Sequence, residues 1–192
     1  MSSSTPKSQS FRNAFLIATP DMGDPRFEFT VIYVVSHDRS GTMGIIINKD
    51  KDGLLISDLL DQVGITGDMK IADGPVLSGG PVDIDRGFVL HSSDYFKTEA
   101  TLKISEKMSL TSTKDILESL VTDAHPKQAL LAVGYAGWGA GQLEKEIAQN
   151  SWLVTDADED VIFSADFEGK WATALSDMGI EPMSLSHGGG QA

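Results

Sequence analysis

Two histidines are the residues of this chain best suited to proton transfer, because each ends an apolar, strand-like segment. His37 is followed directly by Asp38. His91 comes five positions after Arg86. An imidazole near a carboxylate can act as a general base or as a metal ligand. A histidine at a strand end can also simply satisfy backbone groups, and the residue pattern leaves both interpretations open.

Other arrangements that carry chemistry are not found in the sequence. Cysteine is absent, which removes thiolate nucleophiles and cysteine-ligated metals. The sequence contains no H-x-x-x-H or H-E-x-x-H pair and no G-x-S-x-G pattern. We therefore expect no metal site and no cofactor, and no catalytic residues are assigned. An enzyme of hydrolase type would have to bring His37, Arg86 and His91 together in one cleft.

The stretch 134–147 contains four glycines around Trp138 and continues into a helix-like pattern. A strand, a glycine loop and a helix in this order suggest a phosphate loop. However, Glu144 and Glu146 fall in the predicted first helical turn and would repel an anion. Two interpretations remain open: the glycines let Trp138 fold over the core, or Trp138 and Gln142 form a recognition surface.

The elements around these residues indicate an α+β protein. Strands dominate the first half, including a predicted hairpin of Thr30–Val35 and Met43–Ile47 joined by a loop of moderate length. Helices dominate the second half, without regular β-α-β alternation. A further strand, Lys127–Val133, precedes the glycine stretch. We predict a flexible tail over 1–10 and one domain over 11–192.

Composition excludes several classes of partner. The formal net charge is −13 and no cluster of Lys and Arg occurs, so we expect no direct binding to nucleic acid. No apolar run approaches the ~20 residues that span a bilayer, and we expect no membrane association. The polar N-terminus lacks the pattern of a secretory signal. We expect a soluble, cytoplasmic monomer.

Four blocks of sequence carry a family resemblance. They are residues 15–27 (FLIATPDMGDPRF), 34–48 (VVSHDRSGTMGIIIN), 78–91 (SGGPVDIDRGFVLH) and 134–144 (GYAGWGAGQLE). On these blocks the chain resembles the AlgH/YqgE family of bacterial proteins, whose biochemical function is not established. The resemblance implies an α+β fold with a curved, branched β-sheet closed into a pseudo-barrel and flanked by helices. Some members carry the label of transcriptional regulator.

The functional expectations follow from these observations. We expect a non-enzymatic binding or regulatory module that acts on an unknown protein or small-molecule partner, with any control of transcription being indirect. The alternative is the hydrolase-like enzyme described above. The candidate ligand- or partner-binding residues are His37, Asn48, Arg86, His91, Trp138, Gln142 and Glu144.

Overall fold

Strands make up most of the structure, a computed structural model that describes residues 10–97 and 99–182. In these ranges the strands are β1 Ala14–Ala18, β2 Val31–Asp38, β3 Gly41–Ile46, β4 Asp50–Leu55, β5 Pro75–Ser78, β6 Val82–Ser92, β7 Thr101–Lys103, β8 Met108–Thr111, β9 Ala129–Gly139 and β10 Trp152–Asp156. The helices are α1 Ile56–Gln62, α2 Lys114–Ser119, α3 Gln142–Ala148, α4 Glu159–Phe163 and α5 Lys170–Asp177, with a 3-10 turn at Pro25–Phe27.

The strands form one mostly antiparallel sheet in the order β10-β1-β2-β3-β9-β6-β8-β7. Strand β1 and the first part of β2 are apolar throughout, and residues 14–18 and 31–35 are buried on both faces of the sheet. A continuous apolar run is what a strand covered on both faces requires. The predicted strand at Thr30–Val35 is confirmed as the buried part of β2.

Strand β9 is the branch point of the sheet. Its C-terminal part pairs with β3, from Ala136 opposite Gly44 to Gly139 opposite Gly41. Its N-terminal part pairs with β6 on one side and, in parallel, with β5 on the other. The replacement of β3 by β5 along the same edge of β9 splits the sheet into two arms.

The sheet curls so that its far ends approach each other. Arg12, which precedes β1, donates from Nε to the carbonyl of Ile104 at 3.0 Å and from Nη2 to the carbonyl of Lys103. Lys103 ends β7, the last strand in the sheet order, whereas β1 lies next to the opposite edge. This contact closes the curve into a half-barrel. The expected α+β class and curved, branched sheet are confirmed.

The helices cover the faces of this sheet. Helix α5 packs Ala174 and Leu175 against the main core inside the curl. Helices α1 and α2 cover a second cluster on the β6–β9 arm. Helix α3 places Leu143 in a third cluster, beside Trp138 and the first strands.

One charged side chain lies in the main core. Lys170 is 1% exposed, and its ammonium donates to the carbonyls of Ile162 at 2.7 Å and Ile47 at 3.1 Å. The nitrogen also lies 4.2 Å from the ring centroid of Phe167. Burial lowers the pKa of Lys170 to about 7, because a low-dielectric interior disfavours the charged form. Lys170 therefore links α5 to α4 and to the residue that follows β3.

Two local predictions are corrected by the structure. The β2–β3 connection is a two-residue turn at positions 39–40, shorter than the predicted loop, because pairing continues to Asp38 opposite Gly41. Strand β9 does not end at Val133 but continues to Gly139, so Trp138 lies on a strand and not in a loop. The predicted tail, residues 1–10, falls outside the described residues except for Ser10.

Candidate functional site

A cleft of 410 Å³ opens where the end of β9 meets α3. We call it the central cleft. It is bounded by the segment containing the 3-10 turn, by the start of β6, and by β9, α3 and the start of β10. Lining residues from these segments include Arg26, Phe27, Val82, Gly137, Trp138 and Trp152. The cleft therefore joins the first, third and fourth sequence blocks.

Trp138 is a packed wall of this cleft. Its side chain belongs to a buried cluster, and the residue is 7% exposed. The ring meets Trp152 edge to face, with centroids 5.9 Å apart, and Trp152 meets Phe27 in the same way at 5.7 Å. The sequence left open whether Trp138 folds over the core or forms a recognition surface. In the structure the indole is packed in the core, and its outer surface lines the cleft.

A single carboxylate, that of Glu146, connects the walls of the central cleft. Glu146 Oε2 accepts the indole N–H of Trp138 at 2.9 Å and that of Trp152 at 2.8 Å. Its Oε1 accepts from Gln142 Nε2 at 3.0 Å, and Gln142 Oε1 accepts the backbone N–H of Gly139 at 3.0 Å. Charge-assisted hydrogen bonds of this kind fix side-chain positions strongly. The network therefore holds the walls of the cleft in one arrangement.

The predicted position of Glu146 in the first helical turn is wrong. Helix α3 begins at Gln142, so only Glu144 lies in the first turn and Glu146 lies in the second. The carboxylate serves two indoles and is not a free charge at the helix start. The spacing of Gln142 and Glu146, four residues apart on one helix face, is the signal that would have indicated their pairing.

Two of the glycines have distinct roles in this geometry. Gly134 adopts φ 74°, and a Cβ there would lie 2.4 Å from the carbonyl oxygen of Gly80, so the two backbones approach too closely for any side chain. Gly141 also adopts a left-handed conformation, φ 73°, as the residue that precedes α3, but it faces open space. Glycine density here reflects close strand packing and a helix start, and not a phosphate cradle.

An ion pair stands at the rim of the central cleft. The Arg26 guanidinium donates from Nη2 to Asp24 Oδ2 at 2.6 Å and from Nε to Oδ1 at 3.0 Å. The hydrogen bond from Arg26 lowers the pKa of Asp24, and the same contact raises the pKa of Arg26. The guanidinium is thus oriented at the mouth by a partner two residues away.

His37 and Glu144, both predicted site residues, lie together. His37 Nε2 is 3.5 Å from Glu144 Oε1, and His37 Nδ1 is 2.8 Å from Thr42 Oγ1. The edge of Phe11 packs on the imidazole at 5.0 Å. Thr42 was missed from the sequence. A two-residue turn between Asp38 and Gly41 would have placed it directly opposite His37.

His91 lies at the other end of β9. It pairs with Ala129, nine residues before Trp138, which corresponds to about 30 Å along a strand. The imidazole is fully buried: Nδ1 donates to the Ser92 carbonyl at 2.9 Å and Nε2 accepts from Thr111 Oγ1 at 2.8 Å. Burial lowers the pKa of His91. Both ring nitrogens have partners within the protein, so His91 is a structural residue.

The two other predicted residues are also placed away from the central cleft. Arg86 donates to Ser112 Oγ at 3.2 Å and stacks over the ring of Phe88 at 5.1 Å. Asn48 accepts the backbone N–H of Val31 at 2.9 Å and donates to the Phe29 carbonyl at 2.8 Å. Asn48 thus braces the entry to β2. The structure does not bring His37, Arg86 and His91 into one cleft, so the hydrolase alternative loses its geometric basis.

Within residues 10–97 and 99–182, no group of three or more His, Cys, Asp or Glu side chains is arranged to hold a metal ion. In the same ranges, no helix has the length and apolar character that crossing a membrane requires.

Comparisons with known proteins agree with the architecture. A family model described as AlgH-like matches residues 15–183. A UPF0301 protein from Ruegeria pomeroyi is 49% identical, covering 92% of this chain and 96% of the relative. A UPF0301 protein from a Bradyrhizobium strain is 50% identical, covering 92% and 85%.

Solved structures show the same fold. The solution structure of the AlgH protein from Pseudomonas aeruginosa superposes with a TM-score of 0.75 and 35% identity, covering all of both chains. A crystal structure from Corynebacterium diphtheriae gives a TM-score of 0.72 at 17% identity, covering 94% of this chain and 92% of that one, and supports the fold alone. With the family match spanning most of its length, this chain belongs to the AlgH-like family.

Proposed function

We propose that this AlgH-like protein is a binding module whose ligand occupies the central cleft. The observation that carries the proposal is the cleft itself, which joins three separated sequence blocks around a wall fixed by Glu146. Its 410 Å³ falls within the usual range of about 300–1,000 Å³ for ligand sites. A preformed wall lowers the entropy that a ligand must lose on binding.

The lining favours a ligand with an apolar body and hydrogen-bond donors. Phe27, Trp138 and Val82 supply apolar surface, and Glu146 and Asp24 supply carboxylates. Arg26 offsets one of these charges but is already held by Asp24. A phosphate or other strong anion would therefore meet a net negative lining, which supports a neutral or cationic ligand.

The residues of the cleft support binding in preference to chemistry. Glu146 is occupied by two indoles and Gln142, and Asp24 by Arg26. Ser151 is a hydroxyl in the lining, and the lining contains no histidine that could activate it. We propose that any regulatory role in transcription acts through the bound molecule or a partner protein, since a net charge of −13 opposes contact with DNA.

The experiment compares three forms of the immobilised protein. Val82→Arg fills the central cleft, whereas Val63→Arg changes an exposed valine outside it and serves as the matched control. Each form is incubated with small molecules extracted from bacteria, and retained compounds are identified by mass spectrometry. We expect wild type and Val63→Arg to retain a compound that Val82→Arg loses. Equal retention by all three forms would contradict the proposal.

A further inference from the structure

The turn before β2 holds a phenylalanine in a backbone conformation that this residue type rarely adopts. The backbone N–H of Thr30 donates to the carbonyl of Phe27 at 3.2 Å, and Glu28 between them has φ −56° and ψ 131°. Phe29 follows with φ 55°. These values describe a type II turn, whose third position requires a positive φ and favours glycine or asparagine. Among the residues that the structure describes, the four other non-glycine residues with positive φ are all Asn or Asp.

The surrounding hydrogen bonds keep Phe29 in this conformation. Asn48 Nδ2 donates to the carbonyl of Phe29 at 2.8 Å, and Thr30 Oγ1 donates to the carbonyl of Phe27 at 2.8 Å. The phenyl ring gains little from burial, since the residue is 54% exposed. Folding stability therefore does not account for an aromatic side chain at this position. Backbone strain that the surrounding structure maintains is concentrated at active sites and ligand sites.

Phe29 and Trp171 form the aromatic wall of a separate cavity, which we call the Phe29 cavity. It has a volume of 390 Å³ and is lined by Phe29, Asn48, Lys49, Asp50, Glu168 and Trp171. The two rings meet edge to face with centroids 5.0 Å apart. The indole N–H of Trp171 donates to the carbonyl of Ala18 at 3.0 Å, which attaches the wall to the end of β1. None of the six lining residues lines the central cleft.

The charged residues of the Phe29 cavity are of both signs. Lys49 supplies an ammonium, and Asp50 and Glu168 supply carboxylates. Asp50 Oδ2 accepts the backbone N–H of Gly53 at 3.0 Å. Within the described ranges of the chain, the side chains of Lys49 and Glu168 make no hydrogen bond or ion pair. Charges of both signs are therefore available to a ligand.

We propose that the Phe29 cavity binds a free α-amino acid with a large apolar side chain. The aromatic wall contacts the side chain of this ligand, the carboxylates of Asp50 and Glu168 attract its ammonium, and Lys49 attracts its carboxylate. A simple anion meets two carboxylates and a simple cation meets Lys49, so a zwitterion complements the lining best. The volume of 390 Å³ falls within about 300–1,000 Å³, the usual range of ligand sites. This site goes beyond the proposed function and does not depend on what the central cleft holds.

The tryptophans of the chain distinguish the two sites. Of the three, Trp171 lines the Phe29 cavity, whereas Trp138 and Trp152 line the central cleft. L-phenylalanine is titrated to millimolar concentration into the isotope-labelled full-length protein, and the indole N–H signals are followed by heteronuclear NMR. Loss of one signal in Trp171→Phe identifies that of Trp171. We expect a saturable shift of this signal, while the signals of Trp138 and Trp152 stay in place.

Two analogues of L-phenylalanine test the need for both ligand charges. Phenethylamine keeps the ring and the ammonium but lacks the carboxylate, and hydrocinnamate keeps the ring and the carboxylate but lacks the ammonium. Each analogue loses one contact with a charged group, so we expect binding to be weaker by about 10-fold or more. Equal affinity for the three compounds would contradict a site for a zwitterion.

Phe29→Asn separates binding from folding. Asparagine adopts the left-handed conformation more readily than phenylalanine, so this variant should melt at or above the temperature of wild type. It should nevertheless lose the shift of the Trp171 signal with L-phenylalanine. Lys49→Met should weaken binding by about 10-fold. Lys145→Met changes an exposed lysine on α3 outside the cavity and is the matched control, which should bind as wild type does.

Three outcomes would overturn the proposal. One is a Trp171 signal that does not move with L-phenylalanine, and another is a movement confined to Trp138 and Trp152, which would place the amino acid in the central cleft. The third is wild-type binding by a folded Phe29→Asn protein. If Phe29→Asn does not fold, the strain argument is refuted, and equal binding by wild type and Lys49→Met would refute the ligand class separately.

Discussion

The indole of Trp138 donates to Glu146 Oε2 at 2.9 Å, and this contact ties the end of β9 to α3 across the central cleft. The same oxygen also accepts from Trp152 at 2.8 Å, so one carboxylate joins α3 to two strands. The shape of the cleft thus depends on a helix residue whose own backbone lies outside the sheet.

Removing the Glu146 carboxylate should destabilise the fold. Glu146→Ala leaves two largely buried indole N–H groups without their acceptor, and we expect the free energy of unfolding to fall by about 2–4 kcal/mol. Lys145→Ala on the exposed face of α3 is the control and should change it by no more than about 0.5 kcal/mol. Urea denaturation followed by tryptophan fluorescence measures both. Similar losses in the two variants would show that the network contributes little.

The close approach of Gly134 and Gly80 can be separated from the cost of a left-handed backbone. Gly134→Ala and Gly141→Ala share nearly the same φ, 74° and 73°, but only the first places a Cβ against backbone. Gly134→Ala should therefore cost about 1–3 kcal/mol more, the range of overpacking. Thermal and urea unfolding of the two variants give the difference. Equal costs would mean that the strands move apart readily.

The buried Lys170 should make stability increase with pH on the alkaline side. Its folded-state pKa is about 7 against an ordinary 10.5, so the unfolded chain binds more protons between these values. The free energy of unfolding then rises with pH, at a slope of up to about 1.4 kcal/mol per pH unit from this group. Lys170→Met should abolish that rise, and exposed Lys145→Met should retain it. Urea denaturation at several pH values between 7 and 10 measures the slopes.

His91 should contribute an acid-side dependence of the same sign. Burial lowers its folded-state pKa, so below about pH 6.5 the unfolded chain binds the extra proton and stability falls as pH falls. His91→Gln can keep both hydrogen bonds without titrating, and it should flatten this part of the profile. His125→Gln is the matched control. An unchanged profile in His91→Gln would assign the acid dependence to the carboxylates alone.

The sequence was sufficient where local pattern and structure agree. The apolar run at 30–35 predicted the strand β2. The helix-like pattern after the glycine stretch predicted α3, and the four family blocks predicted the fold. Each of these depends on periodicity or on composition within a short window. Trp138 and Gln142, which were predicted to form a recognition surface, both line the central cleft, and their part in binding stays a prediction.

The sequence was insufficient where contacts join distant segments. Glycines around Trp138 predicted a loop, because their actual partners lie far away in the sequence, Gly80 between β5 and β6 and Gly41 at the start of β3. The burial of Lys170 is not indicated by its neighbours in the sequence, since its two carbonyl acceptors, Ile47 and Ile162, belong to other segments. Long-range pairing of this kind leaves no mark in a single sequence window.

The pairing of β1 with β10 sets an order on biosynthesis. Ala18 lies opposite Trp152, so β1 acquires one of its two neighbours only when β10, far later in the chain, has been translated. Until then β1, with buried Phe15, Leu16 and Ile17, presents an open apolar edge of the kind that invites aggregation. The nascent chain therefore needs protection of its N-terminal segment for most of its synthesis, and premature termination before Trp152 yields a product with that edge permanently exposed.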